Sequence, residues 1–326
     1  LEAELRQILT IASVEGERFT AEVVARVQGV SPRQLLGHLS QELQKRHRLV
    51  REREQVKAGQ QSLSRYQFSH ILFQRYLYDN LSAGERRLLH GEIAQALEIC
   101  YEGRTGEITN RLAHHYLEAG EREKGIEYSR QAAQGAKDVY AYDEAMQYLQ
   151  TALDLFETGE QAETRLDLLE ELADVHSVFT TDAQAISHYQ TALDMWFSLT
   201  SADNIIAVRL HRKILEFAFQ LYGNVAFEVF DPLYQTLATS RDFLEANLPL
   251  DDREQSQVEM VRVLSCLANY SGTVVGSPSA LDKAEGHARA AVDLAEQLDA
   301  PVEMSDALGT LAGIYFVRGL LPDQLE

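Results

Sequence analysis

One pentapeptide occurs twice in this chain, and each copy lies inside a longer repeated pattern. Gln-Thr-Ala-Leu-Asp stands at 150–154 and again at 190–194. In the wider pattern a small residue is followed three positions later by an aromatic residue or a histidine, and seven positions later by alanine. Residues seven apart lie on almost one face of an α-helix. The pattern occurs at Gly125/Tyr128/Ala132, Ala145/Tyr148/Ala152, Ala185/His188/Ala192 and Ala284/His287/Ala291. It predicts helices whose small-residue stripe is buried only when neighbouring copies stack.

The composition is that of an ordinary folded protein and favours a helical chain in a reducing compartment. Of the 326 residues, 45% are hydrophobic, 25% are charged and only six are proline, which favours long uninterrupted helices. Two cysteines, Cys100 and Cys266, are too few for a disulfide framework and indicate a reducing, cytoplasmic compartment. No apolar stretch reaches the roughly 18 residues needed to span a bilayer. Because the chain starts at Leu1 inside a helical pattern and ends inside a repeat, we expect a piece of a longer protein.

Charge is unevenly distributed along the chain. Residues 1–100 contain 14 Lys/Arg and 12 Asp/Glu, net +2, whereas residues 101–326 contain 16 and 38, net −22. A strongly acidic surface repels the phosphates of nucleic acid. We therefore expect nucleic acid to be an unlikely partner of residues 101–326.

The first hundred residues show three helical patterns followed by two short extended runs. Ser31 and Pro32 supply an N-cap and a proline at the first helical position for the third helix. Ser82-x-x-Glu85 is a capping box that predicts another helix start. The order of elements is that of a winged-helix domain, which we place at 1–82, with a helical connector at 83–107. The helices are expected at Leu1–Ile11, Ala21–Val27 and Arg33–Arg46, and the extended runs at Leu49-Val50 and Ser64–Phe68, bracketing a polar hairpin loop over Glu52–Ser62.

A second motif marks the remainder of the chain as repetitive. Leu112-Ala113-x-x-Tyr116-x-x-x-Gly120 recurs as Leu311-Ala312-x-x-Tyr315-x-x-x-Gly319. This spacing of a large residue, a small one, an aromatic and a turn glycine resembles the tetratricopeptide repeat. The expected fold class is all-α: a winged-helix domain with a small β-hairpin, then a tetratricopeptide-repeat α-α superhelix over 108–326. Helix pairs are expected near 161–178 with 182–199, 202–221 with 225–246, and 252–271 with 279–298.

The pair at 202–246 departs from the repeat pattern because aromatic residues crowd it and Pro232 interrupts its second helix. A ligand pocket is most plausible there. The candidate ligand- or partner-binding residues are Phe217, Tyr222, Phe227 and Phe230. The alternative, that these aromatic rings form part of the core, stays open.

Motifs that carry catalysis or metal binding are absent from the sequence. There is no phosphate-binding Gly-x-x-x-x-Gly-Lys-Ser/Thr, no Gly-x-Gly-x-x-Gly and no His-Glu-x-x-His. His114 and His115 are adjacent, so on a helix they point about 100° apart and are not expected to face one metal ion. We expect a surface or packing role for them, no catalytic residue, no metal site and no enzyme.

One further run resembles a family. Tyr66-Gln67-Phe68-Ser69-His70 leads from a strand into a helix start, as in the winged-helix part of the bacterial signal-transducing P-loop ATPases known as STAND proteins, including LuxR-type and cyclase-linked regulators. Ile71 stands where the family most often has Asp. The resemblance implies that His70 contacts the β-phosphate of ADP bound by an ATPase domain preceding it in the same chain. A histidine at a helix N-terminus suits a phosphate.

The resemblance implies a non-catalytic sensor and regulatory module of a signalling ATPase. The repeats would bind a protein or small-molecule ligand, and the winged helix would help to latch the ADP-bound state. No cofactor is expected in this segment; ATP or ADP would be bound by the full-length protein, which would oligomerise on activation. The open alternative is a DNA-binding transcriptional regulator whose third helix presents Arg33, Gln34, His38 and Gln41 to bases.

Overall fold

The computed structural model describes residues 1–58, 61–156, 161–179, 184–199, 204–222, 232–247, 253–272 and 278–320. Over these ranges the chain is mostly α-helical with one small antiparallel sheet, which confirms the all-α class. The chain divides into two compact units, Leu1–Glu157 and Thr158–Glu326. No helix in the described ranges is long and apolar enough to cross a bilayer. The domain limits expected from the sequence at 82 and 107 stay predictions.

Unit 1 begins with three helices whose starts follow local sequence signals. They are α1 (Ala3–Glu15), α2 (Ala21–Gln28) and α3 (Pro32–Gly37), which continues as a π-helix over His38–Arg46. At the start of α3 the Ser31 hydroxyl accepts a hydrogen bond from the Gln34 amide at 3.3 Å, as its sequence predicted. Leu35, Leu39 and Leu43 are fully buried and anchor this helix in the core.

The sheet is larger than the sequence indicated. It comprises β1 (Arg18–Thr20), β2 (Val50–Ala58) and β3 (Gln61–Phe68) in the order β1-β3-β2, with both pairs antiparallel. The expectation of a loop over 52–62 is wrong, because nearly all of that stretch pairs in the hairpin. A ladder satisfies backbone N–H and C=O groups whatever the side chains, so polar residues on a projecting ribbon do not prevent pairing. Strand β1 was not predicted because three residues carry no periodic signal.

Five further α-helices and a 3-10 turn (Thr105–Ile108) follow in the described part of unit 1, and two of the α-helix ends carry predicted capping groups. The capping box forms as expected, with the Ser82 amide donating to Glu85 Oε2 at 2.8 Å and the Glu85 amide donating to Ser82 Oγ at 3.3 Å. Gly120 ends α6 in the left-handed conformation with φ 72°, which glycine adopts without strain. The helices are α4 (Ile71–Asp79), α5 (Ala83–Cys100), α6 (Thr109–Ala119), α7 (Arg122–Asp138) and α8 (Tyr142–Asp154).

Unit 2 consists of helices in contacting pairs. Helix α9 packs on α10, α11 on α12, α13 on α14, and α14 also on α15. Helix α12 is described from Pro232 onward, and residues 225–231 of the helix expected over 225–246 lie outside the described part of the chain. Proline suits the first turn, where its missing N–H has no helical partner to lose. The helices are α9 (Ala162–Phe179), α10 (Gln184–Ser198), α11 (Asn204–Tyr222), α12 (Pro232–Ala246), α13 (Glu254–Tyr270), α14 (Pro278–Gln297) and α15 (Pro301–Leu320).

The predicted small-residue stripes are buried between helices. The alanines of the three copies at 145/152, 185/192 and 284/291 are all fully buried. In the fourth copy, a Cβ added at Gly125 would lie 3.1 Å from Leu117 Cδ2 of the neighbouring helix. The stripe therefore lets α7 approach α6 more closely than a side chain would allow.

Candidate functional site

The histidine that the sequence singled out lies on the surface of unit 1. His70 is exposed and immediately precedes α4, with an extended backbone at φ −138° and ψ 123°. Its side chain makes no capping hydrogen bond to the helix. The ring is therefore accessible at a helix start, and its contact with a nucleotide phosphate stays a prediction.

The four candidate aromatic residues are not assembled into a site by the described part of the structure. Phe217 is buried within α11, at 3% exposure, as a core residue would be. Tyr222 ends α11, and its side chain lies outside the described part of the chain, as do Phe227 and Phe230 altogether. Ligand binding by these residues stays a prediction.

The structure reveals a different hollow in unit 2, with a volume of about 490 Å³. It is lined by one residue of α11, Glu216, and by several residues of α13 and α15, among them Arg262, Ser265 and Asp306. Its walls thus come from α11, α13 and α15. One residue of the predicted 202–246 pair contributes to it, whereas the aromatic Phe217 beside that residue does not.

Ion pairs join the helices that line this hollow to one another. Each pair links one helix to the second helix after it, at N–O distances typical of charge-assisted hydrogen bonds. They hold α9, α11, α13 and α15 in register on one side of unit 2. The pairs are Glu170 with Arg209 (2.6 Å), Arg212 with Glu259 (2.6 Å) and Arg262 with Glu303 (2.7 Å).

The central pair is the one removed from water. The side chains of Arg212 and Glu259 are 7% and 6% exposed, and Arg212 also contacts Glu216 Oε2 at 2.5 Å. Although burial lowers the pKa of Arg212, the carboxylates of Glu216 and Glu259 raise it above its usual value. Removing one partner of such a pair leaves an unpaired buried charge, so the pair fixes how α11 meets α13.

Negative charge and unused polar atoms characterise the hollow. Glu216, Glu303 and Asp306 supply three carboxylates. Arg212 pairs with Glu216 and Arg262 pairs with Glu303, so Asp306 carries the charge that is not compensated. Asp306 is exposed and forms no ion pair with any described residue. The hydroxyl oxygen of Ser265 is buried without a hydrogen-bond partner among those residues. A free carboxylate and a free hydroxyl suit a positively charged ligand group.

The thiol in the same hollow is not a nucleophile. Cys266 Sγ lies 3.9 Å from the Arg212 carbonyl oxygen, and burial raises the pKa of this thiol well above its usual value. The thiolate is the reactive form of cysteine, so Cys266 stays protonated and unreactive.

A smaller hollow of about 300 Å³ lies on the sheet of unit 1 and is basic. Arg18, Arg53 and Arg65 line it together with Glu54 and Tyr66. Arg53 donates to the Gln67 side chain at 2.5 Å, and Arg65 donates to the Tyr101 hydroxyl at 3.3 Å. The residues that the DNA-binding alternative would use lie elsewhere: Arg33, Gln34 and Gln41 are exposed on the third helix, and His38 lies 3.5 Å from Glu4.

The expectation that His114 and His115 cannot face one point is wrong. Their ring centroids lie 5.3 Å apart, and one ring nitrogen from each falls within 4.8 Å of a nitrogen of His90 on α5. The 100° separation holds at Cβ, but rotation about the side-chain torsions carries both rings toward the neighbouring helix. His90 was missed because it lies 24 residues before His114 and shares no local pattern with it.

The groups of the unit 2 hollow were missed for a similar reason. The sequence shows Arg209, Arg212 and Glu216 at helical spacing, which indicates a charged face of α11. Its partners on α9 and α13 follow from packing and have no short-range signal.

A comparison with models of known protein families finds no match to this chain. A comparison with curated proteins likewise finds no match.

Proposed function

We propose that this chain is a non-catalytic sensor and regulatory module whose helical unit 2 binds a protein or small-molecule ligand carrying positive charge. The observation that carries the proposal is the acidic hollow on α11, α13 and α15, where the Asp306 carboxylate and the Ser265 hydroxyl have no partner among the described residues. Concave, partly charged surfaces between stacked helix pairs are where repeat proteins bind partners.

Net charge supports the same ligand class. Residues 158–326 contain 10 Lys/Arg and 27 Asp/Glu, so this segment holds −17 of the −20 charges of the chain. A field of one sign draws oppositely charged ligands toward the surface, and a hollow of that sign concentrates them. A cationic peptide is therefore the partner that the surface favours.

The switch that such a sensor would control follows from the resemblance of the first hundred residues. The order of three helices, a hairpin and an exposed His70 before α4 supports an assignment to the winged-helix domain of a signalling ATPase. In that arrangement His70 would touch ADP held by an ATPase domain of the same chain, in the bacterial cytoplasm. A phosphate-binding loop encoded upstream of Leu1 would support this assignment, and a reading frame without one would count against it.

Binding of a fluorescein-labelled penta-lysine peptide to the full chain, measured by fluorescence anisotropy, tests the hollow. We expect Asp306→Asn to weaken binding by about threefold to tenfold, since a charge-assisted hydrogen bond contributes about 1 kcal/mol or more. Asp293→Asn is the matched control, because Asp293 is an exposed acid on α14 that does not line the hollow. It changes the net charge equally and should leave the affinity within about twofold.

Two results would contradict the proposal. An equal loss for Asp306→Asn and Asp293→Asn would mean that only net charge attracts the peptide. Equal binding of a penta-glutamate peptide would remove the requirement for a cation.

The arginine-lined hollow of unit 1 favours one second candidate, a DNA-binding regulator. Arg18, Arg53 and Arg65 form a basic surface on the sheet, and such a surface attracts backbone phosphates. A gel shift with duplex DNA over a range of salt concentrations separates the candidates. Tight binding that weakens steeply with salt would favour this second candidate over the latch assignment.

A further inference from the structure

Three histidines from two helices of unit 1 meet at one point. His90 comes from α5, and His114 and His115 come from α6. One ring nitrogen from each lies within 4.8 Å of the other two. His90 and His115 are buried, at 1% and 2% exposure, whereas His114 is exposed. The cluster thus has a buried side and a side open to solvent.

The buried pair faces nitrogen to nitrogen. His90 Nδ1 lies 2.9 Å from His115 Nδ1. A neutral imidazole carries one N–H and one lone pair, so without a third group one ring must donate to the other. In a tetrahedral zinc site with Zn–N bonds of about 2.0–2.1 Å, neighbouring ligand nitrogens lie about 3.3 Å apart. A small outward shift of two rings, with the shared proton moving to Nε2 of the ring that carries it, would leave both Nδ1 lone pairs free for a metal ion.

The outer nitrogen of His90 has the partner that a metal-bound histidine requires. His90 Nε2 lies 3.1 Å from the Tyr78 hydroxyl oxygen. If Nδ1 binds a metal, Nε2 carries the proton and donates it to Tyr78. Ligating histidines nearly always donate their second N–H to an oxygen acceptor, which fixes the tautomer and the ring orientation. This contact is independent of the clustering of the three rings.

Carboxylates partly compensate the positive charge near the cluster. Arg111 pairs with the buried carboxylate of Glu15, and an Asp79 carboxylate oxygen lies 3.9 Å from the Arg86 guanidinium. Metal ligation uses the neutral imidazole, which offers one ring-nitrogen lone pair.

We propose that His90, His114 and His115 form a site for one divalent transition metal ion of the zinc class, with its remaining position open to solvent beside His114. Imidazole nitrogen suits Zn²⁺, Co²⁺, Ni²⁺ and Cu²⁺, whereas Mg²⁺ and Ca²⁺ require oxygen ligands. The ion joins α5 to α6. The proposal does not depend on the acidic hollow of unit 2, and it reverses our expectation that no residue binds metal.

Titration of the full chain with ZnCl₂ in an isothermal calorimeter at about pH 7.5 tests the site, with CoCl₂ as a spectroscopic probe. We expect one ion bound per chain, a visible Co²⁺ absorption of low symmetry and a rise in Tm with metal, since the ion binds the folded state. We expect Mg²⁺, added as MgCl₂ at the same concentrations, to bind more weakly than Zn²⁺. Absence of stoichiometric Zn²⁺ binding would overturn the proposal.

Variants assign the binding to these rings. His114→Ala should weaken Zn²⁺ binding by about tenfold or more and reduce the metal-induced rise in Tm at the same metal concentration. Its ring is exposed, so the variant is expected to fold. His115→Ala should have the same effect; if circular dichroism shows that it does not fold, His114→Ala decides alone.

The chain has ten histidines, so a second histidine pair serves as the matched control. His176 and His188 of unit 2 have ring centroids 4.8 Å apart. His188→Ala should leave Zn²⁺ affinity unchanged. Unchanged affinity in His114→Ala, with a loss in His188→Ala, would place the metal at the control pair and overturn the proposal.

Tyr78→Phe tests the contact between His90 Nε2 and the Tyr78 hydroxyl. It removes the acceptor of the His90 Nε2 proton and should weaken Zn²⁺ binding by about tenfold, while the visible absorption of bound Co²⁺ persists because all three ligands remain. A merely structural role for Tyr78 would lower Tm without changing metal affinity, and that result would contradict ligation through His90 Nδ1.

Discussion

At the scale of single residues, the lack of a side chain at Gly125 determines how closely two helices approach. A Cβ there would lie 3.1 Å from Leu117 Cδ2, whereas at Gly135 of the same helix it would meet no atom of the described residues within 4 Å. Gly125→Val should therefore lower the free energy of unfolding by about 1–3 kcal/mol through overpacking. Gly135→Val should change it by less than about 1 kcal/mol.

Urea unfolding followed by circular dichroism measures both values. Equal effects of the two substitutions would show that helix propensity, and not the contact with Leu117, sets the response at Gly125.

At the scale of elements, a buried histidine of α11 packs against α12. His211 is 5% exposed; its Nδ1 lies 3.0 Å from Ser240 Oγ, and its ring centroid lies 4.3 Å from that of Phe243. Burial lowers the pKa of His211 from its usual 6.5 to about 4. The unfolded chain therefore takes up a proton below about pH 6.5, while the folded chain does so only near pH 4.

Acidification therefore destabilises the folded chain through His211. The contribution of His211 to the free energy of unfolding is complete above about pH 6.5 and is lost as the pH falls toward 4, with about 2 kcal/mol lost by pH 5. In urea unfolding at pH 7 and pH 5, His211→Gln should lose less stability on acidification than the unsubstituted chain. His47→Gln, at an exposed position, is the control and should not alter the difference. Identical pH dependence in the His211 variant would refute the assignment.

At the scale of the whole molecule, one segment carries nearly all of the net charge. Residues 158–326 hold −17 of the −20 charges, and like charges on a compact body repel. Raising NaCl from about 20 to about 300 mM should raise Tm by a few degrees, since screening acts on exposed charges and much less on the buried Arg212–Glu259 pair.

Thermal unfolding followed by circular dichroism gives the measurement. Asp293→Lys removes part of the repulsion at an exposed position, so its Tm should rise less with salt. A fall in Tm with salt would mean that screened ion pairs outweigh the repulsion.

Structural features that depend on residues close together in the sequence could be predicted. The Ser31-Pro32 and Ser82-x-x-Glu85 caps begin their helices as expected, Gly120 ends α6, and the small-residue stripes are buried. Each of these rests on a hydrogen bond or a helical face spanning a few residues, so the local sequence fixes it. The prediction of a loop over 52–62 failed because pairing with β3 satisfies the backbone hydrogen bonds of β2 without any alternation of hydrophobic residues.

The sequence by itself thus determined a mostly helical chain, the starts of its capped helices and the acidity of its second half. Only the tertiary structure placed His90 beside His114 and His115, and Arg212 beside Glu259. These residues lie 24, 25 and 47 positions apart, and the packing of one helix on another decides which side chains meet. That packing depends on the summed fit of many side chains, so no short motif encodes either the histidine cluster or the acidic hollow.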